Sequence, residues 1–228
     1  MKRFKIFAVV ISPLILIALI VGCPSSDELI ADNNLEATVR DTLDLLLGER
    51  VTTDHLANLT LLSANDSNIT NLSGLEYCIN LVEADFSNNI IGDISPVIFL
   101  DNLVTLNMWN NQISQIPAAC TFSSLVNLNL SGNQIEDISP LASVLNLANL
   151  SISGNRLTDI SPLESLLNLT RLNLSGNQIS DISPLLENSG LGEGDVVNLE
   201  GNELDLTEGS EDIASIRLLE SRGVEITY

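Results

Sequence analysis

The most constraining feature of this chain is a set of asparagines at a nearly constant spacing. They are Asn89, Asn111, Asn133, Asn155, Asn177 and Asn202, of which the first five lie 22 residues apart and the sixth follows after 25. Each occupies the same apolar frame, for example Leu125, Leu128, Leu130, Asn133, Ile135, Ile138 and Leu141. A repeat of this length predicts a solenoid, in which each unit buries its apolar face only against its neighbours.

Within each frame an apolar pair, such as Leu128 and Leu130, flanks a polar residue. This period of two predicts a short strand whose apolar side chains point inward. Stacked in register, the strands would form a parallel sheet on the concave side of an α/β solenoid. We expect the asparagine after each strand to bury its amide and to bond backbone groups of neighbouring turns. The first repeat has Ser67 at this place.

The repeats are predicted over residues 59–206, seven in number, between two caps. Residues 33–58 predict a helical N-terminal cap, with Asn33 as the helix N-cap and an apolar face from Leu35 to Leu46. Residues 207–228 predict a C-terminal cap of one helix and one strand. The three extra residues before the seventh repeat predict a flexible bulge within residues 188–194. Ser-Pro pairs such as Ser139-Pro140 predict short helical turns on the convex side, with serine as the N-cap.

The N-terminus has the pattern of an export signal. Residues 1–22 combine a basic start with an apolar run from Ile6 to Val21, which predicts a signal peptide. Ile20-Val21-Gly22-Cys23 resembles a bacterial lipobox, and this resemblance implies cleavage before Cys23, lipidation of its thiol and a lipidated tether over residues 23–32. The alternative is an uncleaved membrane anchor. Either reading predicts an exported protein anchored on the outer side of the cytoplasmic membrane or in the outer membrane.

Charge and cysteine usage narrow the partners. Asp and Glu outnumber Lys and Arg by 30 to 9, which argues against binding nucleic acid or anionic lipid surfaces, since both need basic side chains. Cys78 and Cys120 lie two repeats apart, a separation of about 10 Å in a parallel stack. A disulfide tolerates only about 7 Å between Cα atoms. We therefore expect two buried free thiols.

The motif Asn-Gln-Ile-x-Asp-Ile-Ser-Pro-Leu, at 133–141 and 177–185, resembles the 22-residue repeats of bacterial internalin-like leucine-rich-repeat proteins. The ending Arg222-Gly223-Val224-Glu225-Ile226-Thr227-Tyr228 is similar to the close of many such domains. The resemblance covers about residues 30–228 and implies a leucine-rich-repeat horseshoe that binds a protein partner and is not an enzyme. It does not identify the partner. We expect a monomer that contacts the membrane through its lipid anchor only.

Catalytic, cofactor and metal sites are not predicted. The single histidine, His55, falls in the N-terminal cap with no nucleophile placed beside it, and we expect it to be solvated. The sequence has no zinc-ligand cluster and no phosphate-binding loop. Asp93, Asp137, Asp159 and Asp181 share one position in four repeats. Such a column either binds calcium or accepts hydrogen bonds from local turn amides.

The outward residues of the strands form the candidate ligand-binding surface. The residues selected are Glu83, Asp85, Asn107, Trp109, Asn129, Arg171 and Asn173. Most of this face is small, polar and uncharged, and Trp109, the only tryptophan, is predicted to project from it beside Ser87 and Ser131. Tryptophan is enriched at binding hot spots. The leading hypothesis is protein binding by the concave face; the alternatives are an envelope scaffold without a ligand groove, and glycan binding.

Overall fold

Eight three-residue strands pair in parallel, in chain order, along one face of the computed structural model, which describes residues 29–228. The strands are β1 (Leu61–Ser63), β2 (Glu83–Asp85), β3 (Thr105–Asn107), β4 (Asn127–Asn129), β5 (Asn149–Ser151), β6 (Arg171–Asn173), β7 (Val196–Asn198) and β8 (Glu225–Thr227). Partners in β1 to β6 are offset by one 22-residue repeat, as in Leu128↔Leu150. The fold is a leucine-rich-repeat solenoid with an open parallel sheet, which confirms the predicted fold class.

The core is one continuous apolar cluster between the sheet and the convex side, built from the leucines and isoleucines of the frame. The inward pair of each strand from β1 to β7 is buried; in the fourth repeat Leu128 and Leu130 are 3% and 1% exposed. Because each repeat contributes the same few side chains, no repeat has a core of its own. Burial therefore depends on stacking against a neighbour.

Short helical segments follow the core on the convex side. Four are 3₁₀ turns, Leu75–Tyr77, Ser95–Val97, Ser139–Ser143 and Ser161–Ser165, and the sixth repeat has the α-helix α3 (Ser183–Glu187). The predicted N-cap role of the serines is wrong, because each serine lies inside its turn and the residue before it, such as Ile138, is the N-cap. Instead the backbone N–H of Ser139 donates to Oδ1 of Asp137 over 2.7 Å. The aspartate before the Ser-Pro pair therefore organises the turn.

The asparagine of each repeat joins that repeat to the one before it. Asn155 is 7% exposed, and its Oδ1 accepts from the N–H of Ile135 over 2.9 Å. Its Nδ2 donates to the carbonyl of Leu130 in the preceding repeat (3.0 Å) and to that of Ile152 in its own (3.1 Å). The same pattern recurs at Asn89, Asn111, Asn133, Asn177 and Asn202. Asn202 is only half-buried.

A second asparagine column, which was not predicted from the sequence, links neighbouring repeats on the N-terminal side of the strands. Four amides donate to a carbonyl 23 residues earlier: Asn80 to Ala57, Asn102 to Ile79, Asn146 to Ser123 and Asn168 to Leu145, over 2.7–2.9 Å. These asparagines precede the first leucine of their frames at the 22-residue spacing, and Ser124 occupies the position in the frame that begins at Leu125. The periodicity itself could have revealed them.

A third column sets the backbone direction after each strand. The residue before each ladder asparagine has positive φ, in the left-handed region that disfavours a Cβ. The early repeats place Asp66, Asn88 and Asn110 there, and the later ones Gly132, Gly154, Gly176 and Gly201. Asp, Asn and Gly are the residues that tolerate this conformation best. The pattern therefore follows from a backbone requirement of the turn.

The N-terminal cap consists of α1 (Asn33–Thr42) and α2 (Thr53–Ala57). The prediction that Asn33 caps α1 is wrong: Asp32 is the N-cap, and its Oδ1 accepts from the N–H groups of Asn34 and Leu35. The helix also ends earlier than predicted. Leu35 is buried, but Leu46 lies beyond the helix and is 75% exposed.

The packed domain begins before residue 33. Ile30 is 1% exposed and belongs to the core. Oδ2 of Asp32 accepts from the backbone N–H (2.8 Å) and the hydroxyl (3.0 Å) of Thr70. The end of the predicted tether is thus part of the cap. The predicted signal peptide and Cys23 lie outside the described residues, and within residues 29–228 no helix has the length and apolarity to cross a membrane.

The segment before the seventh repeat is closely packed, so the predicted flexible bulge is wrong. Asn188 is fully buried and donates to the carbonyls of Leu163 (2.7 Å) and Leu166 (3.2 Å). A Cβ at Gly190 would lie 2.1 Å from the carbonyl oxygen of Leu167. The three extra residues thus form a fixed turn that leads into β7. The C-terminal cap follows as α4 (Glu211–Ser221) and β8.

Candidate functional site

A shallow groove of about 470 Å³ lies on the concave face over strands β3 to β7. The outward side chains that line it are Thr105, Asn107, Asn127, Asn129, Asn149, Ser151, Arg171, Asn173, Val196 and Asn198. The parallel register, offset by 22 residues from β3 to β6 and by 25 between β6 and β7, aligns these side chains into columns across the strands. Of the residues selected from the sequence, the groove therefore brings together Asn107, Asn129, Arg171 and Asn173.

The first outward column forms a chain of hydrogen bonds across the strands. Nδ2 of Asn127 donates to Oγ1 of Thr105 over 3.1 Å, and Nδ2 of Asn149 donates to Oδ1 of Asn127 over 2.6 Å. The chain ends at Oδ1 of Asn149, a buried acceptor with no partner among the described residues. Arg171 is the next member of the column and is exposed. This half of the groove is thus a fixed amide row that ends in one cation.

The second outward column presents hydrogen-bond donors. Oδ1 of Asn129 accepts from the backbone N–H of Ser131 over 3.0 Å, and Asn107, Asn173 and Asn198 make the same bond two residues ahead. Because a backbone N–H must bond the oxygen, the amide orientation is fixed and each Nδ2 faces away from the turn. Within residues 29–228 none of these four Nδ2 groups donates to protein. The floor of the groove therefore offers a row of free N–H donors.

Trp109 lies at the rim of the groove. Its side chain is 45% exposed, and its Nε1 would be 3.6 Å from a Cβ placed on Gly132. The indole therefore leans over the turn of the next repeat. The serines beside it, Ser87 and Ser131, are buried at 6% and 5% exposure and add little to the surface.

Two of the selected residues lie apart from the groove. Glu83 and Asp85 are on β2, one repeat outside the groove lining. Oδ1 of Asp85 accepts from the N–H (2.9 Å) and hydroxyl (2.7 Å) of Ser87, so this carboxylate is engaged in its own turn. The candidate surface therefore begins at β3, and the acidic pair borders it.

The acidic column on the convex edge supports the turns. Each aspartate accepts from the serine N–H two residues ahead, as Asp93 does from Ser95 over 2.8 Å. Bonds from the hydroxyl and the N–H of Ser183 lower the pKa of Asp181. In the part of the chain that the structure describes, no group of three or more acidic, histidine or cysteine side chains is placed to hold a metal ion.

The histidine and the cysteines occupy interior positions. His55 is half-buried, its Nε2 lies 3.8 Å from Oε1 of Glu49, and its buried Nδ1 has no partner within residues 29–228. The predicted solvation of His55 is therefore only partial. Cys78 and Cys120 are free and buried, as predicted. Burial, assisted by the charge of Glu76, raises the pKa of the Cys78 thiol to about 12.

The family model described as "Leucine Rich repeats (2 copies)" matches residues 101–143 and 145–187. Among solved structures, internalin C2 of Listeria monocytogenes superposes with a TM-score of 0.63 at 27% identity, over 87% of this chain and 95% of that one. Internalin F of the same species gives 0.65 at 25% identity, over 87% and 63%.

A leucine-rich-repeat protein of Leptospira interrogans gives a TM-score of 0.61 at 26% identity, over 71% of this chain and 40% of that one. This chain thus spans less than two thirds of internalin F and of the Leptospira protein. No curated protein matches by sequence. The chain is accordingly a leucine-rich-repeat solenoid that is similar in structure to two Listeria internalins and to a Leptospira leucine-rich-repeat protein.

Proposed function

We propose that this chain is a lipoprotein of the bacterial cell envelope that binds a protein partner, without catalysis, through its concave face. The observation that carries the proposal is the row of free amide donors in the groove. Asn107, Asn129, Asn173 and Asn198 each direct an Nδ2 away from a turn that fixes its orientation. Pre-oriented donors lower the entropy lost on binding.

The chemistry of the groove favours a partner rich in hydrogen-bond acceptors. The four donors lie in one column across strands that are about 4.8 Å apart, with Ser151 of β5 between Asn129 and Asn173. Arg171 adds one positive charge beside Asn149 in the first column. Exposed backbone carbonyls of a protein surface can accept from the amide donors, and its carboxylates can pair with Arg171. The rest of the chain is strongly acidic, so Arg171 is a local exception that orients an acidic group of the partner.

Size requires the rim to take part. A sheet of eight strands, about 34 Å by 16 Å, offers roughly 540 Å², whereas a standard interface buries about 800 Å² per partner. Trp109 is the large, partly exposed side chain beside the groove. We therefore assign it the role of a rim anchor, consistent with the enrichment of tryptophan at hot spots.

The amide donors can be tested by isosteric substitution. Asn129→Asp and Asn173→Asp keep the oxygen that accepts the turn N–H but replace each free donor with an acceptor. Partners are captured with residues 24–228 from envelope extracts, and the affinity of the captured protein is then measured for each variant. Each substitution is expected to weaken binding about tenfold or more, since donors become repelling acceptors. Trp109→Ala is expected to cost about 2 kcal/mol in affinity with an almost unchanged melting midpoint.

Asn58→Asp is the matched control, because it makes the same change of charge at an exposed residue that follows α2 and lies outside the groove lining. Equal losses of affinity at Asn58 and Asn129 would mean that the added negative charge, and not the lost donor, weakens binding. If all variants bind as wild type, the concave face is not the binding surface and the scaffold alternative gains support. Binding of glycans rather than proteins by the same donors and indole would redirect the proposal to sugars.

Anchoring is tested at Cys23. The basic start, the apolar run and Ile20-Val21-Gly22-Cys23 support cleavage and lipidation at this residue. Cys23→Ser should accumulate an unprocessed precursor, whereas the wild-type mature chain should begin at Cys23 and partition into detergent. Recovery of a lipid-free mature chain that begins elsewhere would refute the lipoprotein assignment.

A further inference from the structure

Two leucines at the N-terminal cap are the most exposed large apolar side chains that the structure describes. Leu46 is 75% exposed and Leu47 is fully exposed at 106%, whereas the other exposed large hydrophobic residues are at 54% or below. They are consecutive and lie in the loop between α1 and α2. Single exposed leucines are ordinary, but two adjacent and fully presented ones need a reason.

The loop that carries them has a fixed conformation. The N–H of Glu49 donates to the carbonyl of Leu46 over 3.0 Å, which closes a four-residue turn. Gly48, third in that turn, has φ of +84°, as a type II turn requires. Oε2 of Glu49 accepts from the N–H of Leu46 over 3.1 Å. The turn thus holds Leu47 at its tip.

Arg40 fastens this turn to helix α1. Its guanidinium donates to the carbonyls of Leu46 (3.0 Å) and Glu49 (2.6 Å), and it pairs with Glu36 over 3.2 Å. An arginine that bonds both ends of a turn prevents the two leucines from folding back onto the core. Their exposure is therefore built into the cap.

The length of chain between Cys23 and the loop limits the distance between an anchored N-terminus and the two leucines. The nine residues from Cys23 to Asp32 can extend at most about 30 Å. Helix α1, with ten residues, adds about 15 Å between Asp32 and the loop. A membrane that holds Cys23 or the preceding apolar run is therefore within reach of Leu46 and Leu47.

We propose that the turn of Leu46 and Leu47 inserts into the same membrane leaflet that anchors the N-terminus, as a second point of attachment. This inference rests on the proposed membrane anchoring, and it replaces the expectation from the sequence that the lipid anchor is the sole membrane contact. The interface of a bilayer takes up apolar side chains to a depth of about 5–10 Å. Two contacts would fix the cap against the membrane, whereas one lipid alone would leave the domain free to rotate on its tether.

The test places a fluorophore at the tip of the turn. The full chain, processed in bacteria, carries Trp109→Phe and Leu47→Trp and is reconstituted into phosphatidylcholine vesicles with brominated acyl chains. Leu145→Trp in the same background is the matched control, because Leu145 is 54% exposed in the middle of the array. We expect bromine to quench the emission at position 47 about twofold or more and to leave position 145 unquenched.

Each other outcome overturns the inference. Co-sedimentation of the protein with vesicles, without quenching at position 47, shows an anchored protein whose turn stays in water. Protection of position 47 from an aqueous quencher without bromine quenching shows that a second copy of the chain covers the turn. If the protein does not co-sediment with the vesicles, the proposed lipid anchor is refuted as well. Sedimentation alone separates this outcome from failure of the turn to insert.

Discussion

Replacing Asn155 by alanine removes one link of the buried ladder at a point where every partner can be identified. The N–H of Ile135 donates only to Oδ1 of Asn155, so the substitution leaves this buried donor unpaired, at a cost of about 1–3 kcal/mol. The carbonyls of Leu130 and Ile152 each keep one hydrogen bond after the substitution. Each also accepts from a neighbouring ladder amide, Asn133 and Asn177 respectively.

Each of those two carbonyls therefore loses one of two bonds, at about 0.5 kcal/mol apiece. The total loss expected for Asn155→Ala is about 2–4 kcal/mol. Asn202→Ala should cost only about 1 kcal/mol. Asn202 is half-buried at the end of the array, where water can replace some of the hydrogen bonds that its amide makes.

The measurement is equilibrium unfolding in denaturant, with slope and midpoint both fitted because long repeat arrays can lose two-state behaviour. Ser153→Ala is the control: Ser153 belongs to the same repeat, and its hydroxyl makes no hydrogen bond to protein within residues 29–228. Ser151 is a poorer control, since its hydroxyl lies 2.7 Å from that of Ser131. An Asn155→Ala loss within about 0.5 kcal/mol of the Ser153→Ala loss would refute the reasoning.

Asp32→Asn should destabilise the domain by about 1–2 kcal/mol at neutral pH, because the new Nδ2 cannot accept the hydrogen bonds that Oδ2 receives from Thr70 and Asn71. Burial alone would raise the pKa of Asp32, but hydrogen bonds from Thr70, Leu35 and Asn34 outweigh it and lower the pKa. A depressed folded-state pKa contributes stability above the unfolded value of about 3.9, and that stability is lost as pH falls through the folded value. The deficit of the variant should therefore shrink in acid, and an equal deficit at about pH 2.5 would contradict this account. Gly190→Ala should cost about 2 kcal/mol or more, since the new Cβ meets the Leu167 carbonyl at 2.1 Å; Gly92→Ala, with its nearest contact at 3.8 Å, should be almost neutral in the same thermal melt. Cys78 should resist thiol reagents at mild alkaline pH until denaturant is added, because its pKa is raised to about 12; rapid labelling of the native chain would mean that the convex side opens.

The repeats were predictable because each position is sampled many times in one sequence. Leu128 and Leu130 recur with the same spacing in the neighbouring repeats, so an error at one place is corrected by the others. The second column of asparagines, such as Asn146 and Asn168, carries the same periodic signal and was available to the same reasoning. Its role required knowing which carbonyl lies 23 residues back across the stack.

The wrong predictions concern segments outside the regular repeats, where each sequence position occurs only once and no other repeat supports the interpretation. Asp32 and Asn33 are both good N-cap residues by type, and the choice depends on Thr70, which lies 38 residues away in sequence. The glycines around Gly190 suggest flexibility by composition, yet Asn188 is fully buried there.

The candidate groove was predictable only in part. Outward residues such as Asn129 follow from the alternation of the strand, and the register aligned them as expected. Which of their atoms remains available for a ligand does not follow from the sequence pattern. The turn after each strand takes the oxygen of the amide and leaves the nitrogen, so the donor character of the groove depends on backbone geometry. Trp109 also lies at the rim because Gly132 leaves room for the indole.

The hydrogen bonds of the first ladder give the array a polarity. The free N–H of each repeat is satisfied by the asparagine of the repeat that follows, as Ile135 is by Asn155 and Ile179 by Asn202. The first repeat has nothing before it for a ladder amide to bond, and Ser67 suffices there. Deleting repeats from the C-terminal side therefore orphans a buried donor in whichever repeat becomes last. Shortening the array from its N-terminal side instead removes the carbonyl that receives the ladder amide, as Asn155 would lose that of Leu130, so the two ends of this solenoid need caps of opposite hydrogen-bonding character.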